Sequence, residues 1–165
     1  MFKSLFFYHQ ASSLQNVALL GTATQSSLSS VGLASNAIDG NRNPEWTAGS
    51  CTHTEDGPDH WWSLLLPERY SITHVNITNR SVFASRINNA ELLIGNSREN
   101  NGNNNPRCSV ITSIPASGTR TYNCSGMIGQ LVNVKLFDAP RSVLTICELE
   151  VYGASCFFGW LIQLA

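Results

Sequence analysis

A chain of 165 residues fits one domain of ordinary size, able to bury a core without a partner, and leaves no room for a second independent core. Ten Lys and Arg against eleven Asp and Glu give a net charge of -1, with no cationic run to neutralise a phosphate backbone, so nucleic acid is set aside as a partner. No stretch of eighteen apolar residues exists, which sets aside a membrane-spanning helix, and the low charged fraction of 13% beside abundant Asn, Ser, Thr and Gly favours turn-rich β architecture.

In chain order, MFKSLFFYHQASSLQ opens with a basic residue and a short apolar run that His9 and Gln10 stop before a signal core is complete, so residues 1–15 read as a tail, a truncated or degenerate leader. Residues 34–39 read as one helical turn. Period-two alternation and short apolar runs predict strands at 61–66, 72–78, 90–95, 109–111, 120–123, 131–136 and 144–152, bounded by Asn, Gly, Pro and Ser clusters. Several short strands at fairly regular spacing predict an antiparallel sandwich. Between them RENNGNNNPR, residues 98–107, is too polar to pack and is expected as a surface loop. Val151-Tyr152-Gly153 makes a natural strand end, so ASCFFGWLIQLA, residues 154–165, reads as an appendage outside the core.

Five cysteines, Cys51, Cys108, Cys124, Cys147 and Cys156, are widely spaced and contain no CxxC pair, a pattern that suits disulfides rather than a structural zinc or redox site. Three tripeptides match the N-glycosylation acceptor, at Asn76-Ile-Thr, Asn79-Arg-Ser and Asn123-Cys-Ser, and fit a secreted protein in oxidising surroundings.

The most crowded stretch is CTHTEDGPDHWW, residues 51–62, which gathers Cys51, His53, Asp56, Asp59 and His60. It has no HExxH-type helical spacing, and a loop rich in Gly, Pro and Asp is a poor frame for catalytic zinc, so no enzyme is expected. His60 reads as the flank of a core strand that continues through Trp61-Trp62, and Glu55, Asp56 and Asp59 as a solvated turn. Between His53 and Arg80 lie 26 residues, and Arg86 follows six positions later. Two arginines flanking a loop can converge with a histidine from another loop and clamp oxygen acceptors, with no facing carboxylate for proton transfer. On spacing alone, the reading of each arginine as a solvated surface residue is favoured.

The His53–Arg80 gap, together with NVALLGTATQSS, ASNAIDGNRNPEWTAGSCTHT, HWWSLLL, VNITNR, INNAELLIGNS, NNPRCSVI, MIGQLVNVKLF and CELEVYG, resembles the F-type lectins or fucolectins over residues 16–153. The resemblance implies an all-β, eight-stranded antiparallel jelly-roll β-sandwich of discoidin-like type. It implies terminal L-fucose held by His53, Arg80 and Arg86 as hydrogen-bond donors, with Trp46 and secondarily Phe83 covering the ring face and methyl group. It further implies structural calcium, with carbonyl oxygens from Asn36, Asn41 and Cys147, carboxylates from Asp39 and Glu148, and the carbonyl and hydroxyl of Ser50. Read without it, Asp39-Gly40 is a turn and Glu148 a solvated strand residue. The implied disulfides are Cys51–Cys147 and Cys108–Cys124, with Cys156 free or intermolecular.

Two departures from the family pattern stand out. Arg80-Ser81-Val82-Phe83-Ala84-Ser85-Arg86 is one residue shorter than expected and carries Val82 where the family has an aspartate, and the adjacent cysteine pair is absent, leaving Phe83 to supply packing and no evident carboxylate. Lost or altered sugar specificity follows as an expectation. The family context adds fucosylated glycans as partners, secretion, recognition of foreign or self glycans in innate immunity, and oligomers or tandem domains to raise the avidity of a shallow site. The rival is a discoidin-like adhesion module for lipid headgroups or protein, whose loop aromatics would point outward instead of walling a pocket with Arg80 and Arg86.

Overall fold

The computed structural model describes residues 14–136 and 142–157; the leader reading falls mostly outside them, as does the tail beyond Phe157. Six strands, β1 (Thr22–Gln25), β2 (His60–Thr78), β3 (Ala90–Gly95), β4 (Arg107–Ile111), β5 (Thr119–Leu136) and β6 (Glu148–Ser155), pair antiparallel throughout. The order is β1-β2-β5-β3-β4, with β6 on β2.

The expected eight strands are thus six, because the segments 61–66 and 72–78 are one strand, as are 120–123 and 131–136. In β2, Trp62, Leu64 and Leu66 face inward at period two, the register to β5 shifts between Leu65 and Tyr70, and Ile72, Val75 and Ile77 resume the inward face. The step from Ile72 to Val75 breaks period two, and a register shift between Ile72 and His74 absorbs it. The first half of β2 takes β1 on one side and the C-terminal half of β5 on the other, whereas its second half lies between β6 and the N-terminal half of β5. Two long strands are therefore shared by both halves of the fold, whose apolar faces meet in one core cluster containing Trp62, Leu92, Val134, Leu149 and Val151.

Three further differences have local causes. The strand β1, TATQ, carries no apolar alternation and becomes a strand only because β2 offers its edge, Thr22 to Leu65 through Gln25 to Trp62. Residues 144–146 are not a regular strand: Thr52 N and Thr54 N donate to Ile146 O and Leu144 O, but the return bonds go from Ile146 N and Leu144 N to the two threonine hydroxyls. The loop at 98–107 is not wholly at the surface, since Gly102, Asn103 and Asn105 are buried. Asn133 of β5 donates to Asn101 O at 2.8 Å and Asn103 Oδ1 at 3.1 Å and accepts from Ser63 Oγ at 3.0 Å. Polar residues pack here because their amides satisfy one another. Residues 34–38 form the expected turn, as a 3-10 helix, and β6 runs on to Ser155, three residues beyond the expected strand.

Disulfides join Cys51 to Cys147 and Cys108 to Cys124, and Cys156 is free. The first spans 96 residues and staples the 51–54 segment to the start of β6. A loop of that length contributes about 4 to 5 kcal/mol in the chain-entropy estimate. Replacing Cys51 and Cys147 together by Ala is therefore expected to lower the denaturation midpoint far more than the same change at Cys108 and Cys124, as chemical denaturation will show.

Candidate functional site

Four loops meet at one end of the sheets. The first, after β1, wraps the backbone of His53: Ser29 N donates to His53 O and His53 N to Gly32 O, both at 3.0 Å. Gly32 lies so close that a Cβ there would fall 2.5 Å from His53, which explains a glycine at this crossing. Gln25 locks the assembly, its Nε2 reaching the carbonyls of Ser27, Gly32 and His53 at 2.7, 3.0 and 3.1 Å. Gln25→Glu replaces that donor with an acceptor facing three carbonyls. A cost of about 1–3 kcal/mol is expected, read as a lower melting temperature and weaker ligand binding.

The second loop presents the His53 ring. Its Nδ1 lies 2.6 Å from Thr54 O, and since a carbonyl only accepts, Nδ1 carries the proton. The Nε2 lone pair then accepts from Arg86 Nη1 at 3.0 Å. Burial lowers the ring's pKa, the Arg86 and Arg80 charges push the same way, and the Thr54 carbonyl opposes them. His53 is thus a neutral acceptor, not the donor expected from sequence, because its only exchangeable proton is already committed to the backbone.

The third loop carries both arginines. Asn79, fully buried, donates to Ala84 O at 2.9 Å and Ile114 O at 2.7 Å and accepts from Arg80 N, tying both ends of the loop to the frame. Its acceptor tripeptide is therefore closed off. Arg80 is only 6% exposed, with no partner for Nε among the described residues. Its guanidinium carbon lies 4.9 Å from the Trp46 ring centroid and 5.6 Å from that of Phe83, and Arg86 approaches Phe83 at 4.5 Å. Phe83 adopts φ 58°, a left-handed conformation costly for an aromatic residue, and its ring lies within cation–π range of both guanidiniums. It remains 63% exposed.

The fourth loop supplies Trp46, its ring 5.0 Å from that of His53, and is joined to the third by Ser81 N donating to Pro44 O at 3.0 Å. Burial and the Arg86 charge lower the Arg80 pKa, and Glu45, next to Trp46, is the acid that opposes them. Neither arginine forms an ion pair among the described residues. Beside Arg86 a groove of about 420 Å³ continues between Asp56, Ser85, Ser142 and Val143.

His53, Arg80, Arg86, Trp46 and Phe83 are thus brought together, the aromatics lying against the arginines. Glu55, Asp56 and Asp59 are exposed, and His60 is buried, bonded to Thr54 and Gly57, so the crowded stretch does not form one centre. Gln25, Glu45 and Thr54 escaped notice, and Asn79 stood out only as a glycosylation acceptor, because each acts on a residue it meets only in the fold or through its backbone.

Behind this site lie the residues implied for calcium. Glu148 is 0% exposed; one oxygen accepts from Gly40 N at 3.1 Å and the other, Oε2, has no partner among the described residues. Burial, opposed by the Gly40 N–H and reinforced by Asp39 and Glu150, pushes the carboxyl up to about 8. Asp39 Oδ1 accepts from Asn41 N at 2.8 Å, Asn36 Nδ2 reaches Cys51 O at 3.2 Å, and Ser50 Oγ lies 2.6 Å from Asn43 O. Among the described residues no three His, Cys, Asp or Glu side chains cluster as metal ligands. A hard cation would here take two carboxylates and fill its shell with carbonyl and hydroxyl oxygens, and the orphaned, buried Oε2 fits that donor set.

A fold of this topology with donors and aromatics at one end defines a β-sandwich binding domain, and residues 36–134 match the NedA-like, galactose-binding domain family. Fucolectin-1 of Anguilla japonica is 49% identical over 145 residues, covering 83% of this chain and 80% of its own. Pentraxin fusion protein of Xenopus laevis is 36% identical, with 84% of this chain aligned to 34% of that protein. Among solved structures, the f-lectin (fucolectin) from striped bass, Morone saxatilis, serum superposes with a TM-score of 0.83 at 50% identity, over 85% of this chain and 47% of that one, so the chain spans about half of the bass protein. A Streptococcus pneumoniae fucose binding module aligns over 86% of this chain and all of its own, at TM-score 0.73 and 27% identity. The chain belongs to the fucolectin, or F-type lectin, family, whose members are lectins and not enzymes.

Proposed function

We propose that this domain binds terminal L-fucose on glycans through Arg80, Arg86 and His53, with Trp46 and Phe83 covering the apolar edge of the sugar. The observation that carries the reading is the juxtaposition of two guanidiniums without ion pairs and a neutral histidine lone pair over two aromatic rings. A sugar hydroxyl that displaces the Arg86 Nη1 contact can accept from an arginine and donate to His53 Nε2 at once. A phosphate or carboxylate oxygen has no proton for that lone pair, which favours a sugar over an anionic lipid headgroup. The sugar's methyl group and ring face gain by leaving water against Trp46 and Phe83.

Calcium is part of the same proposal. Held by Asp39, Glu148 and Ser50, with the carbonyls of Asn36, Asn41 and Cys147, it would neutralise charge beneath the loops that hold Trp46 and His53 and would take no part in contacting the sugar. The two disulfides and the bass serum relative support a secreted protein acting on foreign or self glycans, as in innate immunity. Avidity would come from homo-oligomers or tandem domains. A glycan array probed in calcium tests the function directly: signals confined to fucosylated structures are expected, and an array with no fucosylated hit sinks it.

A further inference from the structure

Three tripeptides carry the N-glycosylation pattern, and the fold treats them differently. Asn79 is fully buried with both amide hydrogens committed to carbonyls, and the Oγ of its Ser81 is buried too. Asn76 lies in β2 with β5 on one side and β6 on the other, donating to Glu150 Oε2 at 3.2 Å and accepting from Thr121 Oγ1 at 2.7 Å. Its Thr78 is 2% exposed and hydrogen-bonded to Thr119. A glycan on either asparagine would have to replace these bonds inside the sheet or core.

Asn123 differs on every count. It is exposed, as is Ser125, and its Oδ1 accepts from Ser125 N at 2.9 Å and Ser125 Oγ at 3.4 Å, while no described group takes the hydrogens of Nδ2. Ser125 and Gly126, at φ 53° and 78°, swing the chain off the ladder, whose register jumps from Asn123 opposite His74 to Met127 opposite Ile72. Among the described residues, positions 119–129 of β5 pair only with β2, which leaves their outer edge without a described strand partner.

We propose that Asn123 is the N-glycosylated residue of this protein and that its glycan covers the open edge of β5, where an unpaired strand otherwise invites association with a second chain. The inference rests on the secreted reading above. In the transfer step Asn123 Nδ2 forms a bond to the anomeric carbon of an oligosaccharide linked to a polyprenyl diphosphate. The bond from that carbon to the phosphate oxygen breaks, the diphosphate leaves with the electron pair, and the Nδ2 proton goes to a base of the transferase. Asn123 lies four residues along β5 from Thr119, which opposes Thr78 just before the sugar-site loop, so the attachment point stands roughly 13 Å along the strand from that end of the sheet.

The test is to express the full chain behind a cleavable secretory leader in eukaryotic cells, release glycans with peptide N-glycosidase in heavy-oxygen water, and map the label by mass spectrometry. Label on Asn123 in most of the secreted protein, with none on Asn76 or Asn79, is the expected result. Ser125→Ala and Asn123→Gln should each abolish the label and the accompanying gel shift while the melting temperature of the secreted protein stays close to that of enzymatically deglycosylated wild type. Unlabelled Asn123 in folded, secreted protein, or label on Asn79, overturns the proposal. The added leader forces entry into the secretory route, so failure at Asn123 is distinct from failure of the secreted reading, which the chain's own localisation without that leader decides.

Discussion

Arg86→Ala should weaken binding of fucose-terminated glycans by about tenfold to a hundredfold, the loss expected for one or two hydrogen bonds from a charged donor. The same change takes away the partner of His53 Nε2 and the cation stacked on Phe83. Its effect on His53 is separately measurable. Burial is the main cause of the lowered histidine pKa and Arg86 the larger of the two cationic contributions, so the variant ring should titrate at higher pH than wild type. A neutral ring is the acceptor, and sugar binding is lost as pH falls through the histidine pKa. The acid limb of a binding profile should therefore move to higher pH in the variant, visible by calorimetry across pH and by the histidine ring resonances. Arg86→Lys keeps the charge without the planar fork and should fall between the two. Unchanged fucose affinity in Arg86→Ala would remove this residue from the site.

Calcium removal is expected to lower the melting temperature by several degrees or more at pH 8 and very little near pH 5. Glu148 supplies the reason. In the cation-free fold its carboxyl sits at about 8 against an ordinary value of 4.5, so the folded chain holds a proton that the unfolded chain has already released. Stability of the calcium-free protein is then greatest at the acid end and declines as pH rises between those two values. A bound cation offsets the buried charge, and stabilises further by mass action because the unfolded chain lacks the assembled site. The calcium-dependent difference in melting temperature should thus widen with pH. Glu148→Gln, which keeps the Gly40 contact and cannot ionise, should flatten the profile and remove most of the response to calcium. A melting curve indifferent to chelation at pH 8 would count against the metal.

Much of the candidate site was legible before the fold, though not its chemistry. The spacing from His53 to Arg80 and Arg86 named residues that the fold brings together, and the cysteine positions within the family pattern marked the pairs that are bonded. The direction of the His53 hydrogen bond was not legible, because it depends on Thr54 O holding Nδ1 at 2.6 Å, a fact about backbone direction that residue identity does not carry. Nor was the role of Glu45, which is one of several acids in the chain and acquires meaning only when the loops at 45 and 80 are joined through Pro44 and Ser81.

Period-two alternation and short apolar runs by themselves determined the all-β class, since alternate side chains of a half-buried strand must be apolar whatever their partners are. Strand count and edges were decided by the tertiary structure. The register shifts between Leu65 and Tyr70 and near Thr73 let β2 continue where apolar periodicity breaks, because the ladder to β5 can resume after unpaired residues. Likewise TATQ became a strand and NNGNNN partly buried because partners elsewhere, the β2 edge and Asn133, satisfy their polar groups. Local sequence specifies which side chains seek burial. Only the assembled fold specifies which backbone and amide groups are already bonded, and with them which polar atoms at His53, Arg80 and Glu148 remain available to a ligand.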